Sequence, residues 1–205
     1  MAKGGLTLSN MEKTKKLVAI TGGIGSGKSL ALSILKENGY LTLSCDKIVS
    51  DLYKERRVKV MLSQIFPDSV RGTTRLTLNK TVISQKVFND KYLHKQLTDT
   101  ITPLVMQRVL NIAKRTKQTL FVEVPLLFEC GYEKHFNTVL VVVRQKRARI
   151  DAVKKRSNLT ETQVLDRMNN QVNYEKLDLS NCIVLKNDGD KISFEKTLLS
   201  AVKKL

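Results

Sequence analysis

Five short apolar runs divide the 205-residue chain, at Leu17 to Ile20, Leu41 to Leu43, Thr119 to Val124, Thr138 to Val143 and Ile183 to Leu185. The third and fourth barely alternate, as expected of strands buried on both faces of a parallel sheet. Helical spacing fills the intervals between runs. Leu30, Ile34 and Leu35 predict a helix to about Asn38, with Gly39 placed to close it in a left-handed cap. Ile48, Val49 and Leu52 mark an amphipathic helix after the second run, and further helices are expected at about 80–88, 90–115, 160–170 and 191–204. Pro103 is expected to interrupt the longest of these. Residues 58–78 follow no single pattern, with Pro67 and Gly72 marking turns. Alternating strands and helices predict an α/β fold in three layers, a five-stranded parallel sheet with helices on both faces. The helical content between about 46 and 115 exceeds what crossovers need, which predicts a separate substrate-binding lobe.

Composition narrows the picture. The chain is 41% hydrophobic and 27% charged, enough for a core and a soluble surface. No apolar run approaches the roughly 20 residues that cross a bilayer, and the N-terminus lacks a signal peptide's apolar stretch. Cys45, Cys130 and Cys182 are far apart and form no C-x-x-C pair, which suits reduced thiols, a cytoplasmic location and no structural zinc. Residues 1–16, polar and glycine-bearing, are expected to form a loose tail. The net charge of +17 fits nucleic-acid binding, attraction of a polyanionic small substrate, or Lys spread over solvated faces. Dispersal of Lys along the chain favours the last of these for most of the charge. One cluster stands apart: Arg144, Lys146, Arg147, Arg149, Lys154, Lys155 and Arg156 fall within thirteen residues. With 5% aromatic residues and no Trp, platforms for single-stranded nucleic acid are scarce.

The chemistry enters at Gly22 to Ser29, Gly-Gly-Ile-Gly-Ser-Gly-Lys-Ser, which fills the pattern G-x-x-x-x-G-K-[ST]. An apolar run precedes it and a helical pattern follows, so backbone N–H groups of Gly23, Ile24, Gly25, Ser26 and Gly27 and a helix N-terminus converge on a triphosphate. Lys28 can bridge the β- and γ-phosphates, and the Ser29 hydroxyl can ligate Mg²⁺. A phosphate loop alone implies a nucleoside triphosphate, not what is done with it. Transfer to a hydroxyl also needs a group to orient the acceptor and positive charge on the transferring phosphoryl. Asp46, just past the second strand, is placed for the first part or for capping the following helix. The basic cluster offers the second, in a segment that can close over the triphosphate. Glu123, at a strand end, can hold a Mg²⁺-bound water or serve as a structural residue beside the loop. His94 and His135 have no partners at metal-ligand spacing and read as surface residues; no His accompanies Cys45 to make it a nucleophile.

From Leu17 to Leu205 these features resemble the dephospho-coenzyme A kinase family. Ile20 to Ser29 is similar to its opening motif, Cys45-Asp46-Lys47-Ile48-Val49 to its acidic motif, and Glu123-Val124-Pro125-Leu126-Leu127-Phe128-Glu129 to its central Pro-Leu-Leu signature. Arg156 matches the lid arginine, Arg167 and Gln171 an Arg-x-x-x-Gln, Lys176 a C-terminal lysine, and Asn187-Asp188-Gly189 an Asn-x-Gly turn lying near the adenine of ATP in related kinases. The resemblance implies transfer of the ATP γ-phosphate to the 3′-hydroxyl of dephospho-coenzyme A, with Mg²⁺. It also implies catalytic roles for Lys28, Asp46 and Arg156, ATP contacts from the loop and Asn187, and acceptor contacts from Asp46, Lys80, Thr102, Pro125, Leu126 and Glu129. In this scheme residues 17–205 form a kinase domain, with a core at about 17–45, 118–145 and 180–205, a helical lobe at about 46–117 and a lid at about 146–179. The chain departs from the family pattern in four places. Thr102-Pro103 replaces His-Pro, Lys80 an Arg, Ala152 a second lid arginine, and Asn181 an acid. The rivals are another small phosphate-loop kinase, acting on a nucleoside, a nucleotide or shikimate, and a basic nucleic-acid-associated ATPase. The Pro-Leu-Leu segment argues against the first and the lack of a nucleic-acid motif against the second. Neither nucleic acid nor membrane is expected as a partner, and both a monomer and a homo-oligomer fit the sequence.

Overall fold

A computed structural model describes residues 15–157 and 159–205, so most of the expected N-terminal tail lies outside the described residues. The strands are β1 (Leu17–Thr21), β2 (Leu41–Ser44), β3 (Val70–Arg71), β4 (Thr77–Leu78), β5 (Leu120–Glu123), β6 (Thr138–Val143) and β7 (Ile183–Lys186). The helices are α1 (Lys28–Glu37), α2 (Cys45–Leu52), α3 (Arg56–Ile65), α4 (Lys80–Asn89), α5 (Lys91–Arg115), α6 (Lys146–Ser157), α7 (Glu161–Asn169) and α8 (Lys191–Lys203). Five strands form one parallel sheet in the order β2-β5-β1-β6-β7. Lys15 and Lys16 continue the chain into β1: the Lys16 N–H donates to Thr119 Oγ1, and its carbonyl accepts from Leu120 N.

The two-residue period of the strands sorts side chains into two cores. Val18, Ile20, Phe121, Leu140 and Val142 pack against Ala31, Ile34 and Leu35 of α1 and Phe194, Leu198 and Val202 of α8. On the other face Ala19, Val122 and Val141 meet Ile48 and Leu52 of α2, Val58 and Leu62 of α3, and the inner face of α5. This is why β1, β5 and β6 are apolar at nearly every position. The α1 stop follows the sequence closely. Gly39 adopts φ +81°, and the bonds Gly39 N to Lys36 O and Tyr40 N to Leu35 O close the helix in a Schellman turn.

One expectation fails and one unpatterned stretch takes shape, both through tertiary packing. The helix carrying Pro103 is not interrupted; α5 runs unbroken from Lys91 to Arg115. Proline removes a hydrogen bond and crowds the preceding turn, at about 3 kcal/mol. Ile101, Val105, Met106 and Val109 are buried on one face, and each contributes roughly 1.5–3 kcal/mol, which outweighs that cost. Residues 56–65, without a clear pattern in the sequence, form α3, anchored by Val58 and Leu62 one turn apart. After it a small antiparallel pair, β3 and β4, turns back at Gly72, whose φ is +90°. No helix among the described residues is long and apolar enough to cross a membrane.

Candidate active site

β1 delivers the chain into the turn at Gly22, and α1 starts at Lys28. Two glycines in this loop are fixed by both backbone and space. Gly22 has φ +142° and Gly27 +107°; a Cβ on the first would collide with the Val142 carbonyl, and on the second with the Asn187 side-chain amide. That amide donates to Ser26 O at 2.8 Å and ties the loop to the end of β7. The Lys28 ammonium curls back to donate to Gly22 O at 2.7 Å and Gly23 O at 3.1 Å. Burial lowers its pKa from 10.5 to about 8; Glu123 and Asp46 oppose the shift, and Arg149 and Arg156 add to it. The Ser29 hydroxyl donates to Glu123 Oε1 at 2.8 Å.

Strand register explains why these groups meet. Glu123 pairs with Ile20 of β1 on one side and Ser44 of β2 on the other, which brings the phosphate loop, Glu123 and the start of α2 to one sheet edge. Ser44 is the N-cap of α2 and Asp46 lies within its first turn, so the capping role open to Asp46 is not the one it fills. Asp46 lines a cleft of about 550 Å³ with Gly25, Gly27, Lys28 and Ser29 of the loop, and with Glu123, Pro125 and Leu126 of the segment after β5. Cys45 beside it is buried, and burial pushes its thiol up to about 12, which makes it a packing group rather than a nucleophile.

Arg156 of α6, Arg167 of α7 and Gln171 just after α7 also line the cleft. The attachment of the α6–α7 pair to the loop centres on Ile24. The Ile24 N–H, expected to face a triphosphate, instead donates to Gln171 Oε1 at 2.7 Å, and its carbonyl accepts from Arg149 Nε at 2.9 Å. The Ile24 side chain packs on the small core of Ile150, Val153 and Val164. Much of the basic cluster serves the surface instead: Arg147 pairs with Asp151 and Glu161, and Lys154 with Glu161.

The residues expected at the site divide. Ile24, Gly25, Gly27, Lys28, Ser29, Asp46, Pro125, Leu126, Arg156 and Asn187 all border the cleft. Gly23 and Ser26 border a neighbouring cavity of about 300 Å³. Thr102 lies in a smaller cavity of about 110 Å³, which Asp46, Pro125 and Leu126 also line. Lys80 does not line the cleft; its ammonium sits 5.6 Å above the Tyr53 ring and 3.5 Å from Ser50 Oγ. Glu129 does not line it either: one carboxylate oxygen accepts from Val172 N at 3.2 Å, and the other is buried without a partner among the described residues. It therefore fastens the base of the α6–α7 segment. The cleft also holds residues the sequence reading left out. These are Val87, Phe88 and His94 from the α4–α5 corner; of the basic cluster, Arg144 at the end of β6 lines it together with Arg156. His94 is exposed, as a surface residue should be, but the exposure is into the cleft. No spacing rule links residue 94 to the loop; only the α4–α5 corner brings it there.

A side chain that can neutralise phosphates, a hydroxyl–carboxylate pair suited to a hard cation, and a free carboxylate thus share one cleft with the arginines of the α6–α7 pair. That set is equipped for phosphoryl transfer. Comparison with known proteins points the same way. The family model of Dephospho-CoA kinase matches residues 16–192. The chain is 32% identical over 167 residues to the dephospho-CoA kinase of Helicobacter pylori, covering 79% of this chain and 83% of that protein. It is 30% identical over 190 residues to that of Thermus thermophilus, covering 92% and 91%. The crystal structure of TT1252 from Thermus thermophilus superposes with a TM-score of 0.80 at 30% identity, covering 94% of this chain and 98% of the other. Dephospho-CoA kinase from Campylobacter jejuni, at 22% identity and a TM-score of 0.66, shares the fold over 92% of this chain and 96% of its own.

Proposed function

The chain belongs to the dephospho-CoA kinase family, and from that premise we propose that it transfers the γ-phosphate of ATP to the 3′-hydroxyl of dephospho-coenzyme A, giving coenzyme A and ADP. The observation that carries this reading is the presence of Asp46, Lys28 and the Ser29–Glu123 pair in one cleft. ATP lies with its phosphates in the loop, and Lys28 leaves the Gly22 and Gly23 carbonyls to bridge the β- and γ-phosphates. Asp46 orients the acceptor hydroxyl and accepts its proton as the oxygen attacks phosphorus. Arg156, close enough to Lys28 to influence its ionisation, neutralises charge on the transferring group. Closure of the α6–α7 lid excludes water.

The oxygens of Ser29 and Glu123 are hard donors of the kind Mg²⁺ takes, usually through one or two protein groups and the substrate phosphates. Ser29 would ligate the ion directly and Glu123 through a bound water; when bound, Mg²⁺ neutralises phosphate charge. Pro125, Leu126 and Thr102 border the acceptor side of Asp46, while Lys80, against Tyr53 and Ser50, and Glu129, bonded to Val172, lie outside the cleft and are dropped from the acceptor contacts. A cytoplasmic enzyme using only small-molecule substrates fits this reading.

The test is ADP release measured with dephospho-coenzyme A, adenosine, AMP and shikimate as parallel acceptors, with and without Mg²⁺. Turnover is expected with dephospho-coenzyme A and Mg²⁺ and should fall at least about a hundredfold in Asp46→Asn, which removes the proton acceptor but keeps the shape. No rate above background with dephospho-coenzyme A would sink the reading.

A further inference from the structure

Arg144 is the one cleft arginine carried by the sheet rather than by the lid, directly after Val143 of β6. Its backbone surroundings are fixed on both sides to the Asn187–Gly189 turn. Val143 O accepts from Asn187 N at 2.9 Å, and Gln145 N donates to Asp188 Oδ1 at 2.7 Å. The same turn holds the phosphate loop through Asn187 and Ser26. Loop, turn and the start of the Arg144 side chain are therefore one rigid unit, while no acceptor among the described residues holds the guanidinium. Its Nε is buried without a hydrogen-bond partner among the described residues. Arg149 five residues on is the contrast, tied to the Ile24 carbonyl. A guanidinium that no protein acceptor holds can turn its face onto a ligand in the cleft it lines, while its in-plane N–H groups meet the ligand's oxygens or water at the edge.

Strand order says which part of the ligand that is. β1 carries the loop at the centre of the sheet; β5 and β2 lie on one side of it and β6 and β7 on the other. Glu123 and Asp46 follow from β5 and β2, so phosphoryl transfer takes place on that side. A donor with its γ-phosphate there runs back across the loop, and its nucleoside emerges beside the ends of β6 and β7. Arg144 and Asn187 stand at those ends, and Ala152 of α6 adds only a methyl group to the same cleft. A guanidinium plane has the shape and charge to stack on a nucleobase.

We propose that Arg144 binds the nucleoside end of the donor nucleotide, with its guanidinium plane against the base, and so sets the affinity for a nucleotide over a bare polyphosphate. The inference rests on the kinase reading for the direction of the donor, but its test needs no acceptor. Binding of ATP and of inorganic tripolyphosphate, each with Mg²⁺, is measured by titration calorimetry in the wild type, Arg144→Ala and Arg144→Lys. Arg144→Ala should weaken ATP about tenfold, in the range of a desolvated cation–π contact, and tripolyphosphate less than twofold. Arg144→Lys keeps the charge without the plane and should bind ATP within about threefold of Arg144→Ala. An equal loss for tripolyphosphate, ATP affinity within twofold of wild type in Arg144→Ala, or full recovery in Arg144→Lys would each overturn the assignment. If Arg144→Ala does not fold, Arg144→Lys with the same two ligands decides. A wild type that binds neither ligand would sink the kinase reading instead, and a wrong acceptor would leave this result untouched.

Discussion

Lys28 donates to two carbonyls of its own loop, and a triphosphate must compete for that ammonium. Burial makes the charged form costly, which lowers its pKa to about 8 from the 10.5 expected in the unfolded chain. The sign of the pH dependence follows. Below about 8 both states hold the proton, and the folded protein bears the full cost of a buried charge, about 3 kcal/mol at most. Between about 8 and 10.5 the unfolded chain binds more protons than the folded one, so stability rises with pH and the cost disappears. Lys28→Met should therefore be more stable than wild type at pH 7, with the gap closing above pH 8 in thermal melts across a pH series. Nucleotide affinity runs the opposite way. In the proposed role the ammonium must be charged to hold the phosphates, so the Kd for ATP should rise as pH passes about 8, with proton uptake visible by calorimetry in buffers of different ionisation heat. A flat Kd from pH 7 to 9.5 would show that Lys28 does not titrate in this way.

Among the elements, the α6–α7 pair is fastened to the phosphate loop through Ile24. Ile24 is gripped at its N–H by Gln171, at its carbonyl by Arg149 and at its side chain by Ile150, Val153 and Val164. On the proposed reading, with the nucleotide phosphates in the loop, nucleotide binding and the position of the α6–α7 pair are coupled through this one residue. Gln171→Ala removes the acceptor from the Ile24 N–H and should raise the KM for ATP about three- to tenfold, the cost of one hydrogen bond, with less effect on the KM for the acceptor. Amide exchange should quicken at Ile24 and across α7, and unchanged exchange there would remove the coupling. The α5 helix makes the same point about packing. Pro103 argues locally for a break, but four side chains buried on one face hold the helix straight through it.

For the whole molecule, the parallel sheet with its two cores supplies the rigidity that the site requires. Leu140 is fully buried at the centre of β6. Leu140→Ala should cost about 2–5 kcal/mol and lower Tm by roughly 5–15 °C by circular dichroism. Val184→Ala, at a position 42% exposed on the outermost strand, should shift it far less. The amino-acid sequence determined what short-range rules control. Strand runs follow from burial on both faces, the Gly39 stop from left-handed backbone, and the phosphate loop from glycine spacing. Asp46 could be placed near that loop because it closely follows a strand end. The tertiary structure decided what depends on distant packing. It made α3 from a weak pattern, kept α5 continuous, drew Lys80 and Glu129 away from the cleft, brought Phe88 and His94 into it, and singled out Arg144 and Arg156 from the basic cluster to line it. The reason is physical: local conformation is set by neighbours within a turn or a strand, and cleft membership by the sheet order and helix corners that join residues many positions apart.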